Sequence, residues 1–323
     1  MLARIILQRA LPVVAAVAKA LAGYGLIRAM SAKFHNIALV GKYQSPDVAE
    51  SVMGIARFLR ERGLMVWIEQ GTASSIGGAG DFPVASYEHI GSEADLAVVI
   101  GGDGTMLHTA RRLVEYDVPL AGVNLGRLGF LTDIALNDAR ERLAEIVDGH
   151  FREEVRFMLD AEVLRGGVRI FQTLALNDVV VNKGDLGRMI EFDLSIDGEY
   201  VYTQRSDGMI VSTPTGSTAY ALSSNGPILH PSVGGIALVP LCPHALTARP
   251  ITLPDSCCID IVLVPPQDAR VHFDGQARFD LRAGDCVRMT RSRHALRLLH
   301  PESYSYFAML REKLHWSATP RHN

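Results

Sequence analysis

The chain predicts an α/β domain built on a parallel sheet, followed by a mostly-β domain of packed sheets. Three observations carry this. Apolar runs of strand length alternate with amphipathic helical patterns up to about residue 150, the arrangement of a parallel sheet with right-handed crossovers. Beyond about Phe151 the helical periods stop, and short alternating segments separated by glycine turns take over. A length of 323 residues allows a large core and makes two domains the prior expectation.

Taken in order, the first thirty residues stand apart. Met1 to Ala29 are apolar, carry Arg4, Arg9, Lys19 and Arg28, and contain no acid. Arg9 and Lys19 leave no charge-free span long enough for a membrane helix. Residues 1–30 are therefore expected to be an extension ahead of a native start at Met30, in preference to a signal peptide or an amphipathic surface helix. Residues 36–41 then read as a first strand, and 46–63 as a helix with Val48, Val52, Ile55, Phe58 and Leu59 inward and Gly63 as its stop. A second strand follows at 64–68, and the Gly/Ser/Thr/Ala-rich stretch 71–81 is expected to be a mobile loop. The run LAVVI at 96–100 suits a strand buried on both faces, stopped by Gly101, Gly102, Asp103 and Gly104. From Thr105 a helix is predicted, with Met106, Leu107, Ala110, Leu113 and Val114 on one face. A fourth strand (118–123), a glycine-rich turn (124–133) and a short helix (138–147, stopped at Gly149) complete the α/β part.

In the second part, strands are predicted at 158–164, 168–174, 178–181, 190–196, 209–212, 259–264 and 271–273. Gly166-Gly167, Asp197-Gly198 and Asp274-Gly275 are hairpin signals. The last segment carries Tyr304, Tyr306, Phe307 and Leu310 and is expected to pack back onto the body. The organisation predicted is thus an extension (1–30), an α/β domain (31–150), an all-β domain (151–295) and a C-terminal segment (296–323).

Composition narrows the partners. Net charge is −3 and charged residues make up 21%, so nothing pulls the chain as a whole toward nucleic acid or an anionic membrane. Cys242, Cys257, Cys258 and Cys286 form no C-x-x-C pair and no disulfide framework, which makes a reducing cytoplasm the expected home.

Strand, glycine-rich turn, helix is the arrangement that aims backbone N–H groups and a positive helix end at a phosphate. Asp103 is the odd member of that turn. It reads either as an N-cap for the helix or as a general base that takes a proton from an attacking hydroxyl. Asn177-Asp178 puts an amide and a carboxylate among apolar strand residues, where a buried polar group needs a partner, though an Asx turn would also account for it. Arg205 and Asp207 precede a strand and read alone as a surface ion pair. In the stretch 212–220, STPTGSTAY, five of nine residues carry Ser or Thr hydroxyls, and Ser217 could cap a helix starting at Thr218.

Together GGDGT, NLGRLGFLTD, ND-VVV, QRSDGMIVSTPTGSTAYALSSNGPILHP and LCPHALTARP, in this order, resemble the bacterial NAD kinases from about Ser31 to Trp316. GGDGT alone is shared with phosphofructokinases and lipid kinases; the STPTGSTAY block is the specific part. The resemblance implies a Rossmann-like, phosphofructokinase-like α/β domain followed by a mostly-β sandwich. It implies transfer of the γ-phosphoryl of ATP to the 2′-hydroxyl of the adenosine ribose of NAD, giving NADP. On matching positions Asp103 would be the catalytic base, and Gly101, Gly102 and Gly104 would let the loop reach the phosphates. Asn177 and Asp178 would hold the ribose and phosphate region; most relatives carry Glu where Asp178 stands, one methylene longer. Asp207 would receive the nicotinamide amide with Arg205 nearby, an arginine that goes with preference for NAD over NADH. Thr218, Ala219, Tyr220 and Ser223 would line the adenine end, where Tyr220 offers a stacking face. Gln276 is a further contact, and Arg188 completes the candidate binding set.

No dedicated metal site is read from the sequence; Mg²⁺ is expected to be held mainly through nucleotide phosphates and water. The expected partners are the small molecules NAD and ATP, with neither nucleic acid nor membrane. The resemblance also implies a homodimer or homotetramer with sites near subunit contacts. His108, five residues after Asp103, is expected to be structural. Competing readings are another GGDGT-loop kinase acting on a lipid or sugar, a non-catalytic dinucleotide-binding regulator, and a dehydrogenase; the last lacks a fitting glycine fingerprint, because Gly122, Gly126 and Gly129 do not have the spacing.

Overall fold

The computed structural model describes residues 34–41, 47–126, 129–184, 188–266 and 268–316. The expectations about residues 1–30 lie outside the described residues. The α/β part runs β1 (Asn36–Gly41), α1 (Asp47–Glu61), β2 (Met65–Glu69), α2 (Gln70–Ser75), β3 (Val84–Ala85), α3 (Tyr87–Glu93), β4 (Leu96–Ile100), α4 (Asp103–Leu113), β5 (Leu120–Asn124), β6 (Ile134–Ala135) and α5 (Ala139–Val147). Strands pair in parallel in the order β5-β4-β1-β2-β3. The unbroken LAVVI run is explained by helices on both faces. Leu96, Val98 and Ile100 pack with Val52, Ile55, Leu59, Leu143 and Ile146 on the α1/α5 side, while Ala97 and Val99 pack with Ile90, Met106 and Leu113 on the α3/α4 side.

Within the expected loop 71–81, residues 71–75 depart and belong to α2, while 76–81 form neither helix nor strand. Buried Glu69 accepts the N–H groups of Gly71 and Thr72 at 2.8 and 2.7 Å and so starts α2. The Thr72 hydroxyl oxygen then accepts the Gly41 N–H at 2.9 Å, which docks the helix on the end of β1. A carboxylate two residues ahead of a glycine-rich stretch is a weak sequence signal, which is why composition misleads here. The sequence reading also passed over α3, whose first turn Ser86 caps by accepting the His89 N–H.

The β part comprises β7 (Phe151–Arg165), β8 (Val168–Ala175), β9 (Asp178–Lys183), β10 (Ile190–Ile196), β11 (Glu199–Ser206), β12 (Gly208–Ser212), the short α6 (Tyr220–Ser223), β13 (Gly235–Leu241), β14 (Ile251–Pro254), β15 (Ile259–Leu263), β16 (Ala269–Phe273), β17 (Ala277–Leu281), β18 (Cys286–Pro301) and α7 (Tyr306–Lys313). One antiparallel sheet has the order β14-β13-β12-β9-β16-β17. The remaining strands extend the parallel sheet through β18, which pairs antiparallel with β7 and β15 and touches β5 in parallel at Leu298–Leu120. A register shift between Arg291 and Ala295 lets β18 serve both halves. The two sheets enclose a core that includes Phe157, Leu159, Val181, Phe192, Val211 and Phe273. All three hairpin signals form turns, with Asp197-Gly198 and Asp274-Gly275 at positive φ throughout. In the C-terminal segment Tyr306, Met309 and Leu310 pack against Phe130 and Ile228. Phe307 does not join them; it is 60% exposed, on the outer side of α7.

Candidate active site

The turn after β4 lies at the carboxyl edge of the parallel sheet, where ligands of α/β folds gather. Helix α4 begins at Asp103 itself, with Gly102 in the cap position and no side-chain cap bond. Asp103 is therefore not the N-cap considered from the sequence. Its carboxylate turns onto the neighbouring loop, accepting the N–H of Phe130 (Oδ2, 2.9 Å) and of Leu131 (Oδ1, 2.9 Å). The Thr132 hydroxyl is 3.4 Å from Oδ1. The glycine-rich turn after β5 thus serves as the cradle of this carboxylate. Gly129 permits the approach: a Cβ there would lie 2.1 Å from Asp103 Oδ1. Each carboxylate oxygen has a second lone pair, so two amide contacts still leave room for an incoming hydroxyl.

The same loop is tied to the second sheet. Gln276 donates from Nε2 to the Gly104 carbonyl at 2.6 Å and accepts from Arg111 Nη2 at 2.7 Å. Two residues earlier, Asp274 accepts the N–H groups of Leu176, Asn177 and Asp178 at 3.0, 2.7 and 3.2 Å. The Thr213 hydroxyl donates to the Leu176 carbonyl at 2.5 Å, and Gly216 lets the 213–220 segment close over Asn177, whose carbonyl oxygen a Cβ would meet at 2.1 Å. Asp103, Gly104, Asn177, Asp178, Gln276 and the STPTG segment therefore form one interlocked cluster. Asn177 Oδ1 is buried there and has no protein hydrogen-bond partner.

Burial and the nearby Asp274 carboxylate push the Asp178 carboxyl up to about 7. Burial also raises Asp274, against the lowering effect of the three backbone N–H groups. Asp274 and Arg111 were missed as site residues; the only signal at Asp274 was its hairpin dipeptide, and Arg111 looked like an ordinary helix cation. Ser217 caps no helix. Its hydroxyl donates to the Pro214 carbonyl at 2.6 Å and accepts the Leu229 N–H at 3.0 Å, so it staples the loop across twelve residues. Thr218, Ala219, Tyr220 and Ser223 continue from this loop, with Tyr220 47% exposed. Half-buried His108 packs edge-on against Tyr87, its ring at 5.9 Å, and burial with Arg111 and Arg112 lowers its pKa.

Three candidates stand outside the cluster. Ser212 pairs with Asp178 at one end of β12, whereas Gly208 pairs with Asn182 at the other. Asp207 therefore sits about 17 Å along the strand from Asp178. Its ion partner is Lys183, at 2.9 Å, in place of the expected neighbour Arg205, whose side chain is exposed. Arg188 is likewise exposed. Among the described residues no three His, Cys, Asp or Glu side chains gather as metal ligands.

Comparison with known proteins points to one family. Residues 37–151 match the model of the ATP-NAD kinase N-terminal domain, and residues 176–300 that of the ATP-NAD kinase C-terminal domain. The NAD kinase of Azoarcus sp. (strain BH72) is 80% identical over 294 residues, covering 91% of this chain and 100% of that one. The NAD kinase of Thiobacillus denitrificans is 50% identical over 287 residues, 89% of this chain and 99% of that one. Among solved structures, yeast NADH kinase complexed with NADH superposes with a TM-score of 0.82 at 25% identity, over 90% of each chain. An NAD kinase from Archaeoglobus fulgidus in complex with ATP superposes with a TM-score of 0.68 at 26% identity, over 87% of this chain and 98% of that one. With both domain models matched in order and relatives this similar along most of its length, the chain belongs to the ATP-NAD kinase family.

Proposed function

We propose that the protein is an ATP-dependent NAD kinase, moving the γ-phosphoryl of ATP onto the 2′-hydroxyl of the adenosine ribose of NAD. The observation that carries the site assignment is the interlocked cluster in which Gln276 binds the GGDGT loop while Asp274 binds the Asn177-Asp178 turn. It ties the loop that carries Asp103 to the turn that carries an unsatisfied amide oxygen, Asn177 Oδ1, suited to a ribose hydroxyl. In this reading Asp103 takes the 2′-hydroxyl proton as the oxygen–phosphorus bond forms and the bond to ADP breaks. Gly101, Gly102 and Gly104 admit the phosphates, and Asn177 and Asp178 hold the ribose. Thr218, Ala219, Tyr220 and Ser223 take the adenine end. A magnesium ion on the phosphates would neutralise their charge, and the chain's own part is positioning and proton acceptance.

Asp207, paired with Lys183, and the exposed Arg205 and Arg188 are assigned to the nicotinamide and phosphate end, with NAD favoured over NADH. The homodimer or homotetramer assigned here rests on the resemblance to the bacterial NAD kinases. The parts 31–150 and 151–295 supply the phosphate loop and the dinucleotide pocket, and 296–323 packs back on the body. Four free cysteines agree with a cytoplasmic setting. Among the described residues no helix is long and apolar enough to cross a membrane.

The test is a coupled assay with NAD, ATP and Mg²⁺ on the parent and on Asp103→Asn. NADP should form with the parent, and kcat should fall by about 10²–10⁴ in the variant, the usual span for loss of a general base. NADP formation at near-parental kcat by a folded Asp103→Asn protein would end the assignment of the base.

A further inference from the structure

Behind the loop that cradles Asp103 lies a buried ionic cluster drawn from four segments. His300, 1% exposed, is near the end of β18. Its Nδ1 is 3.0 Å from Oδ2 of Asp133, the residue that follows Thr132 in the cradle. Its Nε2 edge is 3.2 Å from Oε2 of Glu154 on β7, an ion contact without hydrogen-bond geometry. Glu154 in turn binds Arg156 Nη2 at 3.0 Å. Arg156, 4% exposed, donates from Nη1 to the Thr215 hydroxyl of the STPTG segment at 3.2 Å. The Tyr304 ring stacks on the imidazole at 4.0 Å, 10° from parallel. The chain of contacts starts at the amides that hold Asp103 and ends in the loop assigned to the adenosine.

We propose that His300, as an imidazolium shared by Asp133 and Glu154, is a positioning residue that holds the Asp103 cradle and the STPTG loop in register for phosphoryl transfer. The proposal rests on the assignment of those two loops to the reacting site. Charge balance is its physical basis. Asp133 and Glu154 bring two negative charges and Arg156 one positive charge. Only a protonated His300 makes the cluster neutral, and a buried net charge is costly. The groups facing the ring are Asp133 from the cradle, Glu154 and Arg156 from β7, and Tyr304 from the segment after β18, with Tyr306 beyond. The directions agree with that balance. Burial alone would discharge His300, yet its two carboxylate contacts raise it. Burial would likewise raise Glu154, but His300 and Arg156 hold it down to about 2. Since His300 is raised above its ordinary value, the ordered cluster holds below the value His300 has in the folded protein and is lost as pH climbs through it.

The experiment compares the full chain with His300→Gln, Glu154→Gln, the double variant and Asp103→Asn, reading kcat, KM for NAD, the pH profile of kcat, and a melting curve for each. His300→Gln should lower kcat by about 10–100-fold, the effect of roughly 1 Å of misplacement, with a smaller change in KM. The alkaline fall in kcat expected of the parent should be absent. Adding Glu154→Gln restores neutrality and should recover most of the lost turnover, which a role limited to stacking on Tyr304 would not produce. If His300→Gln does not fold, Glu154→Gln alone decides: with one carboxylate gone, the alkaline limb should move to lower pH. An unmoved limb in Glu154→Gln, or parental kcat in His300→Gln, overturns the proposal. Near-parental turnover in Asp103→Asn would instead overturn the assignment of the base, and the His300 limb would still be read independently.

Discussion

Gly129→Ala tests the cradle without touching the chemistry. The backbone at Gly129 is not left-handed, so an alanine meets only a problem of space. Its Cβ would lie 2.1 Å from Asp103 Oδ1 and 2.4 Å from Thr132 Oγ1, both far inside van der Waals contact. The Asp103 carboxylate or the loop must retreat by roughly 1 Å, and misplacement on that scale costs about 10² in rate. Retreat also strains the two 2.9 Å amide contacts. Losing one such bond to a charged group costs about 2 kcal/mol, so the melting temperature should fall by a few degrees while the fold persists. Gly126→Ala is the control on the same loop, because a Cβ there meets nothing within 4 Å. The assay is NADP formed per enzyme per second, with NAD affinity by calorimetry and a melting curve beside it. Parental turnover and melting in Gly129→Ala would show that Asp103 does not need this cradle, and the argument for its placement would fail.

Three further outcomes are expected. Gln276→Ala removes both the 2.6 Å bond to Gly104 and the 2.7 Å bond from Arg111, and kcat/KM should drop about tenfold, the worth of one hydrogen bond of about 1.4 kcal/mol; an unchanged ratio removes Gln276 from the site. Asp178, pushed from 3.8 to about 7, binds a proton in the folded state that the unfolded chain has released, so stability should fall as pH rises through that window. Asp178→Asn removes the effect, worth at most about 4 kcal/mol, and its melting temperature should gain on the parent's more at pH 8 than at pH 5; an equal difference at both would contradict it. Gly102→Ala should melt like the parent but raise KM for ATP, measured by initial rates; an unchanged KM would mean no phosphate passes there.

Much of the fold could be read from the sequence because burial leaves period-2 and period-3.6 patterns. The LAVVI strand, the α1 pattern of Val48, Val52, Ile55 and Leu59, and the hairpin dipeptides are local and complete in themselves. Elements whose cause lies outside their own span were harder. Helix α2 depends on the Glu69 carboxylate and on docking to Gly41, and neither contact shows in the composition of 71–81. The site divides along the same line. Asp103, Asn177 and Gln276 announce themselves as polar residues in motifs. Their supports do not: Asp274, Arg111 and the amides of Phe130 and Leu131 act from distant positions through backbone and side-chain bonds. Asp207 shows the converse, since its sequence neighbour Arg205 suggested a pair that the pleat assigns to Lys183 on the adjacent strand.

The glycines of these motifs do two different jobs, and the space around them separates the two. At Gly129 and Gly216 a Cβ would strike protein atoms at 2.1 Å, the Asp103 carboxylate in one case and the Asn177 carbonyl in the other. Protein packing alone accounts for glycine at both. At Gly102 a Cβ would meet nothing within 4 Å, and its φ of −104° is open to any residue. Neither packing nor backbone conformation of this chain demands glycine there. A remaining demand comes from a group that must approach the backbone from outside, at the start of a helix whose first turn has no side-chain cap. A phosphate answers that description, because it is drawn to unpaired N–H groups at a helix N-terminus and cannot share the space with a side chain. On the proposed assignment the open glycine is where the nucleotide would enter, while packed Gly129 would hold the base beside it and packed Gly216 would hold Asn177.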